Sequence, residues 1–367
     1  MIINKLTLTN FRNIKQLSLS FTRPIVIFYG DNGQGKTNIV ESIYLLSNAT
    51  SFRTSYFKEM INNECDEAIV EGEIQATKRN EKYKISLKKA GKTVFLNEIV
   101  INKLSEYVGK LKTVCFSPED VSLFKDTPGI RRMFLDKELS SLFPVYLKQL
   151  IAFKSVLEQR NSLLKENVDN TLLEVIDDKL IETSYDVYKR RKWLISKLEE
   201  FATNIYKKIT NENQSIRISY QTYLDEFEQE RYFVKAKKIY NDSFKKDKEK
   251  MYTNFGIHKD DFKVYLNDYQ IDMYASQGQQ RLISLCLKLA VVEIVSKANK
   301  QEPIIILDDA FSELDASKKE KLMDYVLTKN QVFITCTDYK NIIRKDIHQR
   351  IMLVNIKDGR VVERSLV

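Results

Sequence analysis

The chain has 367 residues, of which 43% are hydrophobic and 30% are charged, so it can bury a sizeable core and does not have the composition of a disordered or membrane-embedded protein. No apolar stretch approaches the length of a bilayer span and the first residues lack the pattern of a signal peptide, which predicts a cytoplasmic protein without a membrane contact. The net charge of +9 favours a polyanionic partner such as nucleic acid, although a surface that is merely rich in lysine would give the same balance.

The N-terminal part of the chain predicts strands that lead into a phosphate-binding loop. Alternating polarity near the start is followed by a short apolar run at 25–29, typical of a buried strand. Residues 30–37 then read Gly-Asp-Asn-Gly-Gln-Gly-Lys-Thr, a complete G-x-x-x-x-G-K-[ST] motif, and residues 38–46 have helical spacing. In this context the glycines let backbone N–H groups turn towards phosphates. We therefore expect ATP here, with Lys36 on the β- and γ-phosphates and Thr37 on Mg²⁺.

The middle of the chain changes from strand patterns to helical ones. Polarity alternates again over residues 68–102, which predicts an antiparallel β meander. From 131 to about 250 the pattern is helical and highly charged, without a sustained heptad repeat. We expect an α/β ATPase with an inserted helical lobe. The predicted divisions are the first part of the ATPase lobe at 1–115, a helical lobe that also carries the next motif at 116–300, and the last part of the ATPase lobe at 301–367.

Two motifs near the C-terminus complete the predicted site. Residues 276–281, Ser-Gln-Gly-Gln-Gln-Arg, precede a helical run, whose N-terminus could attract an anion or could simply be capped by Ser276. An apolar strand at 303–307 ends in Asp308 and Asp309, which we assign as the Mg²⁺ carboxylate and the general base for the attacking water. Two aspartates at a strand end could also cap a helix, but the phosphate loop earlier in the chain favours the catalytic assignment.

These motifs, in this order, resemble the SMC-like branch of the ABC ATPases and, within it, the RecF family of bacterial recombination and repair proteins. The resemblance covers nearly the whole chain and is carried by segments 8–13, 30–38, 51–53, 116–120, 131–136, 159–165, 256–261, 276–281 and 303–315. The chain departs from the family at Ile257 and Lys259, where Pro and Arg are usual, and Asp309 stands where many ABC ATPases have Glu. No clear switch histidine is present, and Thr335 or Thr337 would fill its position.

The resemblance implies an ABC-type P-loop ATPase core, with a mixed sheet plus an antiparallel β meander, and an ATP-dependent homodimer that holds two ATP molecules between its subunits. The weak ATPase would act as a conformational timer, in which closure grips double-stranded DNA beside single-stranded gaps and slow hydrolysis releases it. The implied partner is a RecR-like protein, and the implied purpose is the loading of RecA. The residues implied to bind nucleotide are Gly30, Asp31, Asn32, Gly33, Gln34, Gly35, Lys36, Thr37, Asn38 and Arg53 of one subunit with Ser276, Gln277 and Gly278 of the other; Lys36, Asp308 and Asp309 are catalytic, and Thr37 and Asp308 bind Mg²⁺. Arg53 could instead pair with a surface acid.

Three rival functions are an OLD-type ATPase acting on another nucleic-acid or protein partner, a transporter ATPase subunit, and a scaffold that binds ATP without hydrolysing it. The first would need a nuclease domain and the second a membrane partner, while intact Asp308 and Asp309 disfavour the third. Basic clusters with interleaved aromatic residues are candidates for DNA contact, but the acids among them fit a solvated helix face, so no cluster is singled out. The clusters lie at 189–192, 207–208, 235–238 and 245–246.

Overall fold

The computed structural model describes residues 1–76, 79–166, 170–343 and 348–366. Its strands are β1 (Ile2–Phe11), β2 (Ile14–Ser20), β3 (Ile25–Tyr29), β4 (Glu67–Gln75), β5 (Asn80–Lys88), β6 (Gly91–Leu96), β7 (Ile99–Val100), β8 (Thr113–Phe116), β9 (Ile216–Gln221), β10 (Asp261–Leu266), β11 (Tyr269–Gln270), β12 (Ile304–Asp308), β13 (Val332–Cys336), β14 (Ile351–Lys357) and β15 (Arg360–Leu366). Its helices are α1 (Lys36–Asn48), α2 (Ser122–Lys125), α3 (Pro128–Leu142), α4 (Pro144–Glu166), α5 (Asn170–Thr210), α6 (Gln229–Lys250), α7 (Ile271–Tyr274), α8 (Gln277–Asn299) and α9 (Ala316–Leu327). None of the helices within these described ranges is long and apolar enough to cross a membrane.

These elements divide into two compact units. The first comprises Met1–Val121, Phe201–Gln214 and Ser276–Val367, and the second comprises Ser122–Glu200 and Ser215–Ala275. The division differs from the predicted boundaries at residues 116–121, at Phe201–Gln214 and at α8, which the predicted helical lobe includes but which belong to the first unit. For α8 the physical reason is that the helix is buried over most of its circumference and packs against β8. A helix that is apolar on most sides must be covered on most sides, and its sequence pattern does not say by which elements.

One sheet of the first unit is mostly parallel, with the strand order β15-β14-β3-β13-β12-β8. Only the β14–β15 pair is antiparallel. Strands β12 and β13 are buried along their whole length, and β3 is buried except at Tyr29, as expected of parallel strands that are covered on both faces. Parallel strands end at the same edge of the sheet, so the loop after β3 and the residues that follow β12 and β13 lie side by side.

The second sheet of the first unit is antiparallel, with the order β2-β1-β4-β5-β6-β7. Strands β4 to β7 follow one another as neighbours, which confirms the predicted meander. Helix α1 contacts strands of both sheets, and the buried core surrounds it with side chains from each. The phosphate loop is therefore fixed at both ends, by a buried strand and by a helix packed within the core.

The second unit contains helices α2 to α4, α5 as far as Glu200, α6 and α7, together with a small antiparallel sheet in the order β11-β10-β9. The expectation of helix throughout 131 to 250 is wrong at β9, which pairs with β10. Residues 216–220 read Ile-Arg-Ile-Ser-Tyr, and this period-2 alternation with β-branched and aromatic residues is a strand pattern. The remaining part of the prediction, a helical lobe, is confirmed by α3, α4, α5 and α6.

Three arginines, Arg131, Arg160 and Arg191, are buried in the second unit, and each is paired with a carboxylate. Arg160 is fully buried, and its guanidinium lies 2.5 Å from Asp177 and 2.7 Å from Asp247. Arg191 is bound by Asp136 at 2.9 Å. A buried charge that loses its partner is strongly destabilising, so these pairs fix the relative positions of the helices that carry them.

Candidate active site

The phosphate loop after β3 has a shape that only glycine allows at two positions. Gly30 and Gly35 have φ of 138° and 104°, in the left-handed region that side chains disfavour. A Cβ atom on Gly30 would lie 2.5 Å from the carbonyl oxygen of Ile356, and one on Gly35 would lie 2.9 Å from Oδ1 of Asn13. At Gly33, with φ of 79°, the same position opens into empty space. The loop thus packs closely on one side and leaves a cradle on the other.

Lys36, the first residue of α1, folds back over this loop. Its Nζ donates hydrogen bonds of 2.7 Å to the carbonyl oxygens of Gly30 and of Asp31. Burial lowers the pKa of Lys36, and the charges of nearby groups, Asp308 and Asp309 among them, oppose this shift. An ammonium that binds two neutral carbonyl oxygens can form stronger hydrogen bonds with a charged acceptor, such as a phosphate oxygen. The position and partners of Lys36 therefore fit the phosphate-binding part predicted for it.

Thr37 and Asp308 are 271 residues apart in the chain and meet at the end of β12. The Thr37 hydroxyl donates a 2.8 Å hydrogen bond to Oδ1 of Asp308, and the Thr335 hydroxyl donates one of 2.6 Å to the same oxygen. Asp308 is only 4% exposed. Burial raises the pKa of Asp308, and the two hydroxyl donors oppose this shift because they stabilise the carboxylate.

The donor set at this point fits a hard divalent cation. A threonine hydroxyl and one carboxylate oxygen lie within 2.8 Å of each other, and both are ligands that Mg²⁺ accepts. In the described part of the chain no group of three or more His, Cys, Asp or Glu side chains could hold a metal ion. Mg²⁺ is commonly held by one or two protein ligands together with water and phosphate oxygens.

Asp309, the predicted general base, follows β12 in an unusual backbone conformation. Its φ is 50°, a left-handed value that is uncommon for residues other than glycine. Its backbone N–H donates to the Thr335 hydroxyl at 3.0 Å, and its Oδ2 accepts a 3.0 Å hydrogen bond from the Ser312 hydroxyl. The side chain is 43% exposed, so one part of the carboxylate is held by the protein and another part is open to solvent.

Arg281, on the second turn of α8, was not among the predicted site residues. Its guanidinium lies 3.3 Å from Oδ2 of Asp309, donates to the Ser312 hydroxyl at 2.9 Å, and pairs with Glu313 at 2.7 Å. It also donates to the backbone carbonyl of Asp309. The side chain is buried. Arg281 thus joins the start of α8 to the segment 312–315 that follows β12. The sequence signal for it was a charged residue directly before the apolar run of the helix.

Ser276 caps α8 in a complete capping box. Its hydroxyl accepts from the backbone N–H of Gln279 at 3.3 Å, and the Gln279 side chain accepts from the backbone N–H of Ser276 at 3.0 Å. Gln277 and Gly278 are exposed, and a Cβ on Gly278 would meet nothing within 4 Å. The local structure is therefore the simple serine cap, with the helix N-terminus open to the surroundings.

Arg53 pairs with a buried acid, not with a surface acid. Its Nη1 lies 2.9 Å from Oδ1 of Asn38 and 3.3 Å from the buried carboxylate of Glu41, which also receives two hydrogen bonds from Arg12. One third of the Arg53 side chain remains exposed. It also lines the cleft described next, so the ion pair holds the guanidinium at the edge of the site.

These residues surround a cleft of about 420 Å³ on the first unit. Its lining consists of Asn32, Gly33, Gln34, Gly35, Lys36, Thr37, Asn38, Arg53, Pro118, Asp308, Asp309, Thr335, Cys336 and Thr337. Of the predicted site residues, Gly30 and Asp31 shape the loop and bind Lys36 without lining the cleft. Ser276, Gln277 and Gly278 are not part of this lining.

A larger depression of about 600 Å³ lies on the antiparallel sheet of the same unit. Its charged side chains pair with one another, as Lys5 does with Glu73 at 3.8 Å and Lys84 with Glu71 at 3.1 Å. Its opposite charges satisfy each other and no phosphate-binding element borders it, so the chemistry points to the smaller cleft.

Comparison with known proteins identifies the family of the chain. The family model described as RecF/RecN/SMC N terminal domain matches residues 2–359. The DNA replication and repair protein RecF of Exiguobacterium sp. is 37% identical over 100% of both chains, and that of Bacillus velezensis is 37% identical over 99% of this chain and 100% of its own. A solved structure of the recombination mediator protein RecF-ATP in the RecFOR pathway matches with a TM-score of 0.88 and 31% identity, over 99% of this chain and 97% of its own. The chain therefore belongs to the RecF family of SMC/ABC-type ATPases.

Proposed function

We propose that this chain is an ATP-driven DNA-binding protein of recombinational repair and replication. Two copies close around ATP, grip double-stranded DNA beside single-stranded gaps, and release it after hydrolysis. The observation that carries the proposal is the convergence of Lys36, Thr37, Asp308 and Asp309 on one cleft. Relatives matching the full chain are named DNA replication and repair proteins, which supports the DNA side of the proposal and disfavours an OLD-type ATPase with another partner.

Each residue of the cleft has a separate role in ATP hydrolysis. The loop holds the phosphates through its backbone N–H groups, and Lys36 neutralises part of their charge. Thr37 and Asp308 would hold Mg²⁺, which would supply positive charge against the negative charge of the phosphates. Asp309 orients a water molecule and takes its proton, since its half-exposed carboxylate borders the cleft. Thr335 keeps both aspartates in place through its hydrogen bonds to each.

A second copy of the chain completes each site in this proposal. The helix end formed by Ser276, Gln277 and Gly278 is exposed and lies outside the described lining of its own cleft. A helix N-terminus offers unpaired N–H groups and a positive dipole, both of which favour an anion. In the closed dimer these residues face the phosphates in the partner's cleft. Because ATP then binds the closed form better than the open one, it shifts the population towards closure until slow hydrolysis reverses the shift.

The proposal places the protein in the cytoplasm, with a RecR-like protein as its partner and the loading of RecA at gaps as its purpose. Support for this setting comes from the structural relative, which belongs to the RecFOR pathway. The net charge of +9 also favours a partner with a phosphate backbone.

ATP should tighten the binding of a labelled DNA duplex by about 5- to 150-fold, the usual range of coupling between two ligand sites. The measurement is fluorescence anisotropy at fixed salt, with ATP, with ADP and without nucleotide. Equal affinity in all three conditions would contradict the ATP gate and would reduce the interaction to attraction between a basic protein and phosphate. Fixed salt is essential because each phosphate contact makes the affinity depend on ionic strength.

Arg281→Ala is expected to lower kcat for ATP hydrolysis by about 10- to 100-fold while leaving the affinity for ATP unchanged. The reason is that Arg281 holds Asp309, Ser312 and Glu313 without lining the cleft, so its loss misplaces the base and not the phosphates. Arg281→Lys should recover part of the rate, since it restores the charge but not the forked geometry. The measurements are steady-state hydrolysis and titration with a fluorescent ATP analogue.

The matched control for this prediction is Lys318→Ala, which removes an ion pair to Asp315 at the start of α9 and leaves Asp309 untouched. Its kcat should equal that of the unaltered chain. Parallel losses of ATP affinity and kcat in Arg281→Ala would contradict the positioning role, because they would mean that the whole site had collapsed.

A further inference from the structure

The second unit exposes aromatic side chains in the segment 251–259, between α6 and β10. Met251, Tyr252 and Phe255 are 55%, 40% and 38% exposed. Large aromatic side chains are usually buried. Here Tyr252 and Phe255 are both exposed and lie three positions apart in one short segment. We call Met251, Tyr252, Phe255 and the lysines around them, Lys246, Lys250 and Lys259, the aromatic–lysine surface.

The three lysines of this surface contact its aromatic rings. The Nζ atoms of Lys250 and Lys259 lie 5.9 Å and 5.3 Å from the centre of the Tyr252 ring, and Nζ of Lys246 lies 5.9 Å from that of Phe255. None of the three lysines has a carboxylate partner within 4.0 Å among the residues that the structure describes. At an exposed site such a lysine–ring contact is weak, so an incoming group can displace it.

Two acids, Asp247 and Glu249, lie in this stretch of α6; Glu249 is exposed, whereas Asp247 is turned inwards. Asp247 is fully buried, binds Arg160, and accepts two hydrogen bonds from Asn254 at 2.7 Å and 3.1 Å. The negative charge of Asp247 is therefore neutralised by Arg160 within the second unit. The outer face carries Lys246, Lys250 and Lys259 against the single exposed carboxylate of Glu249, and this excess of positive charge favours a negatively charged ligand.

Hydrogen bonds from the family segment 159–165 hold the segment 251–259 in place. Thr253, between the two exposed rings, is 1% exposed. Its hydroxyl accepts from Arg160 at 2.9 Å and donates to Asn161 at 2.8 Å, and its backbone N–H donates to Asn161 at 2.9 Å. His258 donates from Nε2 to the Thr253 carbonyl at 3.0 Å. The segments 159–165 and 256–261, which do not line the cleft, thus meet to fix this surface.

We propose that the aromatic–lysine surface binds an unpaired nucleic-acid strand, with bases stacked on Tyr252 and Phe255 and phosphates bound by Lys246, Lys250 and Lys259. Duplex DNA presents only phosphates and groove edges, so exposed rings contribute little to its binding. Unstacked bases, in contrast, can stack on such rings. A preformed, rigid segment reduces the entropy lost on binding. This inference goes beyond the proposed grip on double-stranded DNA, and it does not depend on ATP.

The test is fluorescence anisotropy of a labelled oligo(dT) of about 20 nucleotides with the full chain and no nucleotide present. Tyr252→Ala and Phe255→Ala should each weaken binding by roughly tenfold, since stacking on one ring contributes about that much. Tyr252→Phe, which keeps the ring, should bind as the unaltered chain does. Lys259→Gln should reduce the slope of log affinity against log salt by about 0.7, and Tyr252→Ala should leave the slope unchanged.

Phe227→Ala is the matched control. Phe227 is 56% exposed and has the Lys192 ammonium 5.2 Å from its ring centre, but that lysine is paired with Asp225. The control should keep full affinity for oligo(dT). An effect below about twofold in the Tyr252→Ala, Phe255→Ala double variant, or an equal loss in the control, would overturn the proposal. So would an equal loss of affinity for a duplex of the same length, because stacking predicts a loss for the single strand only. Because this assay contains no nucleotide, a negative result would not bear on ATP-dependent duplex binding, which is measured in a separate experiment.

Discussion

Lys36→Ala should weaken the binding of ATP by about 10- to 150-fold and abolish the ATP-dependent dimer. The side chain supplies charge-assisted hydrogen bonds, each of which contributes about 1.5–3 kcal/mol, and a factor of ten corresponds to about 1.4 kcal/mol. In the structure its Nζ already lies over the phosphate loop, 2.7 Å from two carbonyl oxygens. Alanine removes the charge without disturbing the glycines that shape the loop. The measurements are titration with a fluorescent ATP analogue and molar mass by light scattering, with and without ATP.

Lys112→Ala is the matched control for this loss of a lysine. Burial lowers the pKa of Lys112 as it does that of Lys36, and its Nζ binds the side chain of Asn299 at 2.5 Å, away from the cleft. The control should bind ATP and dimerise as the unaltered chain does, and both variants should keep its circular-dichroism spectrum. A folded Lys36→Ala variant that still dimerises with the normal dependence on ATP would remove Lys36 from the phosphate site.

The phosphate loop could be predicted from the sequence because its constraints are local. A glycine with positive φ, a buried strand before it and a helix after it all lie within a short stretch of chain, and each leaves its own pattern. The carboxylate that meets it was also predictable. Asp308 ends an apolar strand, and parallel strands bring their carboxyl ends to one edge of the sheet. The contact between Thr37 and Asp308 then follows from topology, despite their separation in the chain.

The position of Arg281 could not be predicted in the same way. Its contacts with Asp309, Ser312 and Glu313 depend on the angle at which α8 meets the segment after β12. No periodicity in either segment encodes that angle. The same holds for α8 as a whole, since an all-round apolar helix shows that it is buried but not in which unit. Strand β9 is a different case, because its alternation was present in the sequence and was outweighed by the helical patterns on either side.

Asp309→Asn should leave ATP binding intact and lower kcat by about 10²- to 10⁴-fold, the usual contribution of a general base. The amide keeps the size of the side chain and the hydrogen bond with Ser312, but it cannot take a proton from water. Asparagine is also well suited to the backbone here, because φ at this position is 50° and asparagine is enriched in the left-handed region. The variant should therefore fold normally, retain ATP, and persist as a dimer on DNA. Steady-state hydrolysis and the dissociation rate of labelled duplex measure the two halves of this prediction.

Asp308→Asn provides the contrast that separates the two aspartates. Asp308 is buried and accepts hydrogen bonds from Thr37 and Thr335, so its replacement removes the carboxylate proposed to hold Mg²⁺ and introduces N–H donors opposite two hydroxyl groups. Nucleotide binding should then lose its dependence on Mg²⁺, which Asp309→Asn should keep. Undiminished turnover in Asp309→Asn would show that another group takes the proton. Equal defects in both variants would show that the two carboxylates act as one unit, and the division of roles between the residue that ends β12 and the residue that follows it would have to be abandoned.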